Sequence, residues 1–209
     1  MTTRELLSPK NCTLLLVDYQ PQMLFAVHSI DGQTLVNNAV GLAKAAKVFK
    51  IPTVLATIAE KTFSGPTFPE LTAVFPKLKP IDRTSINAWE DKRVVAAVEK
   101  TGRKKLIVAG LWTELCVAMP VIHALEAGYE VYFVADACGD VSDVAHNMSV
   151  QRMIQAGAVP LTWLQVLLEL QRDWARKETY NAVLDVCREH AGAYGVGIRY
   201  ADKMVWKTK

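Results

Sequence analysis

Three short stretches carry side chains able to do covalent chemistry. In LIVAGLWTELCVAM, Leu106 to Met119, a β-branched run ends at Gly110 and passes through Trp112 and Thr113 to Cys116, at the expected first turn of a helix. A thiol there has two meanings: a small buried hydrophobe, as free cysteines commonly are, or a nucleophile. In the second case the helix macrodipole favours the thiolate, and nearby free amides can hold a tetrahedral oxyanion. In TLLLVDYQPQM, Asp18 ends an apolar strand. Burial would raise its pKa and make it a better proton acceptor, and a neighbouring cation would keep it charged; the plain alternative is a turn or cap carboxylate. In DRTSINAWED, Arg83 stands in a polar loop leading to a helix capped by Asp91. A surface cation is the ordinary reading, whereas a loop folded over the strand ends brings it toward Asp18 and Cys116.

The other candidates are weaker. Cys138 in ADACGD also falls at a strand end, but Gly139 and Asp140 intervene before the helix opened by Ser142, so it reads as structural. Cys12, at a strand edge, and Cys187, in a helical pattern, read the same way. No C-x-x-C pair occurs, and His28, His123, His146 and His190 show no H-x-H, H-x-x-H or H-E-x-x-H spacing, so neither a disulfide framework nor a metal site is expected. Without G-x-G-x-x-G, G-x-x-x-x-G-K-[ST] or G-x-S-x-G there are no grounds for a dinucleotide, nucleotide or serine-hydrolase site, and no cofactor is expected.

To act together these residues need elements that gather strand ends. β-rich runs at 12–18, 52–58, 105–110, 130–136 and 158–163 are apolar almost throughout, as strands covered on both faces must be. Between them lie helical patterns: a stripe at Leu35, Ala39, Leu42, Ala43, Ala46 and Phe49; Asp91 to Gly102 with Val94, Val95 and Val98 on the buried face; Cys116 to Gly128; and Ser142 to Gly157. The alternation predicts an α/β fold, a three-layer doubly wound (Rossmann-like) sheet of about six mainly parallel strands with helices on both faces. Ligands of such sheets bind beyond the carboxyl ends of the strands. With 209 residues, 51% of them hydrophobic, one domain spanning 1–209 is expected, carrying a helical and then glycine-rich extension from about 171–209. Exposed aromatics in that extension have either the parent domain or a neighbouring subunit to pack on. A formal charge of +3 without charge runs gives no footprint for nucleic acid or membrane. The absence of a signal-like or membrane-spanning apolar stretch points to the cytoplasm.

The ordered set TLLLVDYQPQM, R-x-x-x-N-A-W, VAGLWTELCV, GYEVYFVADACGD and RMIQAGAV resembles the isochorismatase-like hydrolases, most closely the YcaC-type cysteine hydrolases, over about residues 12–170. That resemblance implies a catalytic aspartate at Asp18, a cysteine nucleophile at Cys116 and, where the family has lysine, Arg83. A guanidinium orients a carboxylate but does not release a proton. It also implies a cis peptide bond at Leu111–Trp112, an oxyanion hole from the Trp112 and Cys116 amides, and a homo-oligomer, with an octamer as the form the resemblance suggests. Nicotinamidases of this superfamily carry a metal-binding Asp-x-His after the second strand, where this chain reads TIAEKTFSGPTF; isochorismatases proper lack the cysteine. The expected activity is therefore metal-independent hydrolysis of the C–N bond of a small amide or carbamoyl compound through a thioester. Gln20, Phe25, Asn87, Trp89 and Trp112 are expected to line the pocket. The alternatives are a redox-sensitive thiol protein and a catalytically silent assembly protein on the same fold.

Overall fold

A computed structural model describes residues 5–206. Six strands, β1 (Cys12–Val17), β2 (Thr53–Ile58), β3 (Ile81–Arg83), β4 (Lys105–Gly110), β5 (Glu130–Val134) and β6 (Val159–Leu161), form one sheet in the order β3-β2-β1-β4-β5-β6. Every pairing is parallel. β1 and β4 are buried along their whole length, because a parallel sheet covered on both faces has no wet side.

The helices are α1 (Pro21–Phe25), α2 (Gly32–Val48), α3 (Pro69–Val74), α4 (Lys92–Glu99), α5 (Ala118–Glu126), α6 (Asp143–Gln155), α7 (Trp163–Gln171), α8 (Lys177–His190) and α9 (Gly192–Met204). α2 packs against α3, α7 and α8, while α5 packs against α6. Right-handed crossovers place these two groups on opposite faces of the sheet. The starts follow the residue chemistry: Asp31, Asp91, Ser142 and Thr162 each accept a backbone N–H in the first turn of the helix they precede.

The strand order reverses between β1 and β4, and that is where ligands bind in open α/β sheets. The two strands end in close contact. A Cβ on Gly110 would lie 2.2 Å from the Val17 carbonyl oxygen, so glycine is what lets β4 close against β1 at this point.

Several local expectations are corrected. Arg83 does not lie in a loop; it ends β3, an edge strand of three residues with Asp82 exposed, too short and too polar to show as an apolar run. The run at 130–136 stops pairing at Val134 and turns through Ala135–Ala137, and Trp163 opens α7 instead of closing β6. Val95 is half-buried, leaving Val94 and Val98 as the buried face of α4. The tail from Trp163 to His190 is two helices, and the glycine-rich segment is a third. α8 lies on α2, and α9 folds back on α8, where a Cβ at Gly195 would stand 2.4 Å from the Cys187 carbonyl oxygen. The parent domain thus carries the extension, with Tyr194, Tyr200 and Trp206 left exposed on its outer side.

Candidate active site

Asp18 follows β1 with φ +57°, so the chain leaves the strand in a left-handed turn while the Asp18 N–H still reaches the Ala56 carbonyl oxygen at 2.9 Å. The turn aims the carboxylate along the carboxyl edge toward β3. There Arg83 Nη1 donates to Oδ1 at 2.6 Å and Nη2 to Oδ2 at 2.8 Å, a bidentate pair with both side chains fully buried. Nη2 also donates to the Ile86 carbonyl oxygen at 3.0 Å, and the Ala59 N–H donates to the Arg83 carbonyl oxygen, which ties β3 to the loop after β2.

Cys116 approaches this pair from the other side of the strand-order reversal. It is not in the first turn of α5 but in a π-helical turn, Thr113–Val117, just before that helix. Its thiol lies close enough to Asp18 and Arg83 to feel both, with the Trp112 backbone N–H also near the sulfur. The Leu111–Trp112 peptide is cis.

These contacts set the electrostatics. Burial, followed by the Asp18 charge and hydrogen bond, pushes the Cys116 thiol above its ordinary range, against smaller opposing effects of Arg83 and the Trp112 N–H. The macrodipole expectation of a lowered pKa is thus overturned: a carboxylate in contact and loss of water outweigh a helix end that begins only at Ala118. Asp18 is also raised, by burial first, with the two Arg83 contributions opposing. Burial alone would lower Arg83, yet its bonds and charge interaction with Asp18 hold it above its ordinary value. The resting arrangement is a protonated thiol beside a carboxylate of heightened basicity, clamped by a permanent cation.

The residues assigned to the pocket are placed differently from one another. Gln20 is buried and fully engaged: Nε2 donates to the carbonyl oxygens of Ile58 and Gly65, and Oε1 accepts from the Ile58 N–H. Asn87 is also buried, its Oδ1 capping the Trp89 N–H and its Nδ2 at 2.9 Å from His123 Nδ1. Trp89 packs edge-on against Tyr129, which immediately precedes β5 and so lies at the opposite edge of the sheet. These three hold the scaffold. Trp112 stays beside the site, its indole N–H donating to the Met23 carbonyl oxygen at 2.8 Å. Phe25, at the end of α1, is 75% exposed, and Phe63 and Ile86, in the segments after β2 and β3, are exposed as well.

Other groups here gain their significance only from the fold. Ser64 Oγ, Thr67 Oγ1, Ser85 Oγ and Arg83 Nε are buried without a hydrogen-bond partner, all on or next to the loops that follow β2 and β3. Asp140 and His146 contact the turn that carries Cys116. Although several fall within the quoted stretches, their meeting depends on strand order, which no single stretch encodes. Among the described residues, no three His, Cys, Asp or Glu side chains gather as a metal-binding set.

Residues 12–165 match the isochorismatase domain, and the chain belongs to that family as an isochorismatase-family hydrolase. Among its relatives, the probable hydrolase YcaC of Escherichia coli is 42% identical over 169 residues, covering 80% of this chain and 81% of that one. The crystal structure of the E. coli YcaC product, described as an octameric hydrolase of unknown specificity, superposes with a TM-score of 0.93 at 37% identity, over 98% of this chain and 100% of that one. YcaC from Pseudomonas aeruginosa, solved with hexane-2,5-diol and covalent acrylamide, gives 0.91 at 36% identity, over 95% and 98%.

Proposed function

We propose that this chain is a cysteine hydrolase that cleaves the C–N bond of a small amide or carbamoyl-type substrate through a thioester, without a metal ion. The observation that carries the reading is the buried, bidentate Asp18–Arg83 pair at the strand-order reversal, with the Cys116 thiol within electrostatic reach of it. Asp18 takes the thiol proton as sulfur attacks the carbonyl carbon. The amides of Trp112 and Cys116 hold the resulting oxyanion, and Asp18 returns the proton to the departing ammonia or amine. Water, deprotonated by the same carboxylate, then hydrolyses the thioester and frees the thiol. Arg83 keeps Asp18 oriented and charged but passes no proton.

Two further observations support this reading. The unpartnered buried atoms of Ser64, Thr67, Ser85 and Arg83 suit a compact substrate with hydrogen-bonding groups of its own. The Pseudomonas relative has been captured with acrylamide covalently attached, as a protein with an accessible nucleophile would be. A thiol held in its protonated form by burial is poorly suited to sensing oxidants, which react with thiolates. The exposed side chains of Phe25, Phe63 and Ile86 fit a closed homo-oligomer in which a second copy shields the site, as the octamer of the E. coli relative illustrates. Four free cysteines suit a reducing compartment such as the cytoplasm.

The test is incubation with a panel of small amides and carbamoyl compounds, with intact-mass analysis and peptide mapping. The expected result is an acyl adduct on Cys116, with release of ammonia or amine that is lost in Cys116→Ser. Turnover that survives Cys116→Ser overturns the reading.

A further inference from the structure

The turn bearing Cys116 is held on its outer side by one segment, the loop and first helical turns after β5. The Gly139 carbonyl oxygen accepts the Thr113 N–H at 3.1 Å, and Asp140 Oδ2 accepts the Glu114 N–H at 2.7 Å. Asp140 is itself fixed: Oδ1 accepts the Val141 N–H, its carbonyl oxygen accepts the N–H groups of His28 and Ser29, and its own N–H donates to Ser29 Oγ. The third contact is between side chains, with His146 Nδ1 on α6 at 2.9 Å from Thr113 Oγ1. Thr113 is fully buried and is the first residue of the π-helical turn.

A buried hydroxyl must give its hydrogen to an acceptor. Nδ1 of His146 serves if its lone pair is free, which places the imidazole proton on Nε2. We propose that His146 is a positioning residue for the nucleophile: as a neutral imidazole it accepts the Thr113 hydroxyl, locking the start of the turn so that the Cys116 sulfur stays on Asp18. This rests on the cysteine-hydrolase reading and adds to it a residue that touches neither substrate nor the reacting atoms.

Protonation changes the contact in a defined way. With hydrogen on both ring nitrogens, Nδ1–H donates to the Thr113 oxygen and the Thr113 hydrogen loses its acceptor. Burial holds His146 below the ordinary imidazole range, against the opposing charges of Asp140 and Asp143, so the neutral form prevails at neutral pH. The third acidic group near this contact is Glu114, adjacent to Thr113 in the turn. As pH falls through the lowered His146 range, the lock opens and reactivity of Cys116 drops.

The experiment measures the rate of Cys116 alkylation by iodoacetamide on the full chain, by peptide mapping, between pH 4.5 and 8. His146→Ala is expected to slow it by roughly tenfold at neutral pH, the rate equivalent of one hydrogen bond. His146→Asn, which keeps an acceptor near the Nδ1 position, is expected to restore the neutral-pH rate and to lose the part of the acid limb that the imidazole supplies. Thr113→Val should match His146→Ala, and the double variant should be no slower than either alone. Melting temperatures identify variants that fail to fold, in which case the Thr113→Val and Thr113→Ser pair supplies the comparison. A wild-type rate in His146→Ala, or an unchanged acid limb in His146→Asn, overturns this inference alone. Alkylation that falls on another cysteine overturns the hydrolase reading and this inference with it.

Discussion

Cys116 and Cys138 share most of what a sequence can say about a cysteine: each follows a central strand of the sheet, each is buried, and neither is in a disulfide. Burial pushes both thiols up, Cys138 to about 12. Their surroundings separate them. Cys138 lies near the Gly110 backbone N–H and feels the charges of Asp136 and Asp140, and among the described residues no side-chain hydrogen bond contributes to its environment. Cys116 lies within electrostatic reach of the Asp18 carboxylate, and Arg83 fixes that carboxylate with two hydrogen bonds. A strand end next to a turn is therefore not enough for a nucleophile. In the proposed mechanism the difference is a base, Asp18, brought from another strand across the reversal in strand order and held by a buried arginine.

The comparison can be broken in several places. The largest effect is expected from exchanging the thiols themselves: Cys116→Ala should remove turnover and covalent labelling by about 10³-fold or more, while Cys138→Ala keeps both within a few-fold. Equal losses in the two variants, read by mass mapping and ammonia release, would erase the distinction. Next is Asp18→Asn, expected to lower Cys116 alkylation at pH 7 by roughly 10²- to 10³-fold, within the range of general-base contributions. In the wild type, reactivity should fall with acid as Asp18 takes a proton, in a range displaced above that of ordinary carboxylates because burial raises Asp18. In Asp18→Asn the rate should instead climb only in alkali, where the raised thiol ionises; a neutral-range limb that persists there would show that some other base serves Cys116. Arg83→Met leaves a buried carboxylate unpaired and should lower stability by about 3–5 kcal/mol, measured by denaturant melts. The smallest change is expected on the other side of the comparison, where Cys138→Ala removes one buried sulfur and should cost about 1 kcal/mol.

The central scaffold was legible because its signals are local. Apolar runs at 12–18 and 105–110 could be nothing but doubly covered strands, and Asp91, Ser142 and Gly102 marked helix ends through hydrogen-bonding chemistry that acts within a few residues. Asp18 and Cys116 could be nominated for the same reason, since each closes or follows such a run. Arg83 was harder. Its strand has three residues, and what brings it to the site is a register that sets Arg83 beside Ile58 and, through β2, within reach of Asp18. How Gln20, Asn87 and Trp89 are engaged was not legible, because residue type reports hydrogen-bonding capacity but not which partner uses it. Gln20 exhausts its amide on β2 and the loop beyond, and Asn87 on a cap and His123.

By itself, then, the amino-acid sequence determined the alternation of strands and helices and the parallel character of the sheet, and it nominated Asp18 and Cys116 as the candidate pair for proton exchange. Only the tertiary structure decided that the Cys116 thiol is raised instead of lowered, that Arg83 grips Asp18 with two hydrogen bonds, and that His146 reaches Thr113. The physical reason is range. Backbone preference and burial periodicity act over a few residues, whereas desolvation and charge pairing depend on atoms 65 positions apart, as in Asp18 and Arg83, meeting at a few ångströms.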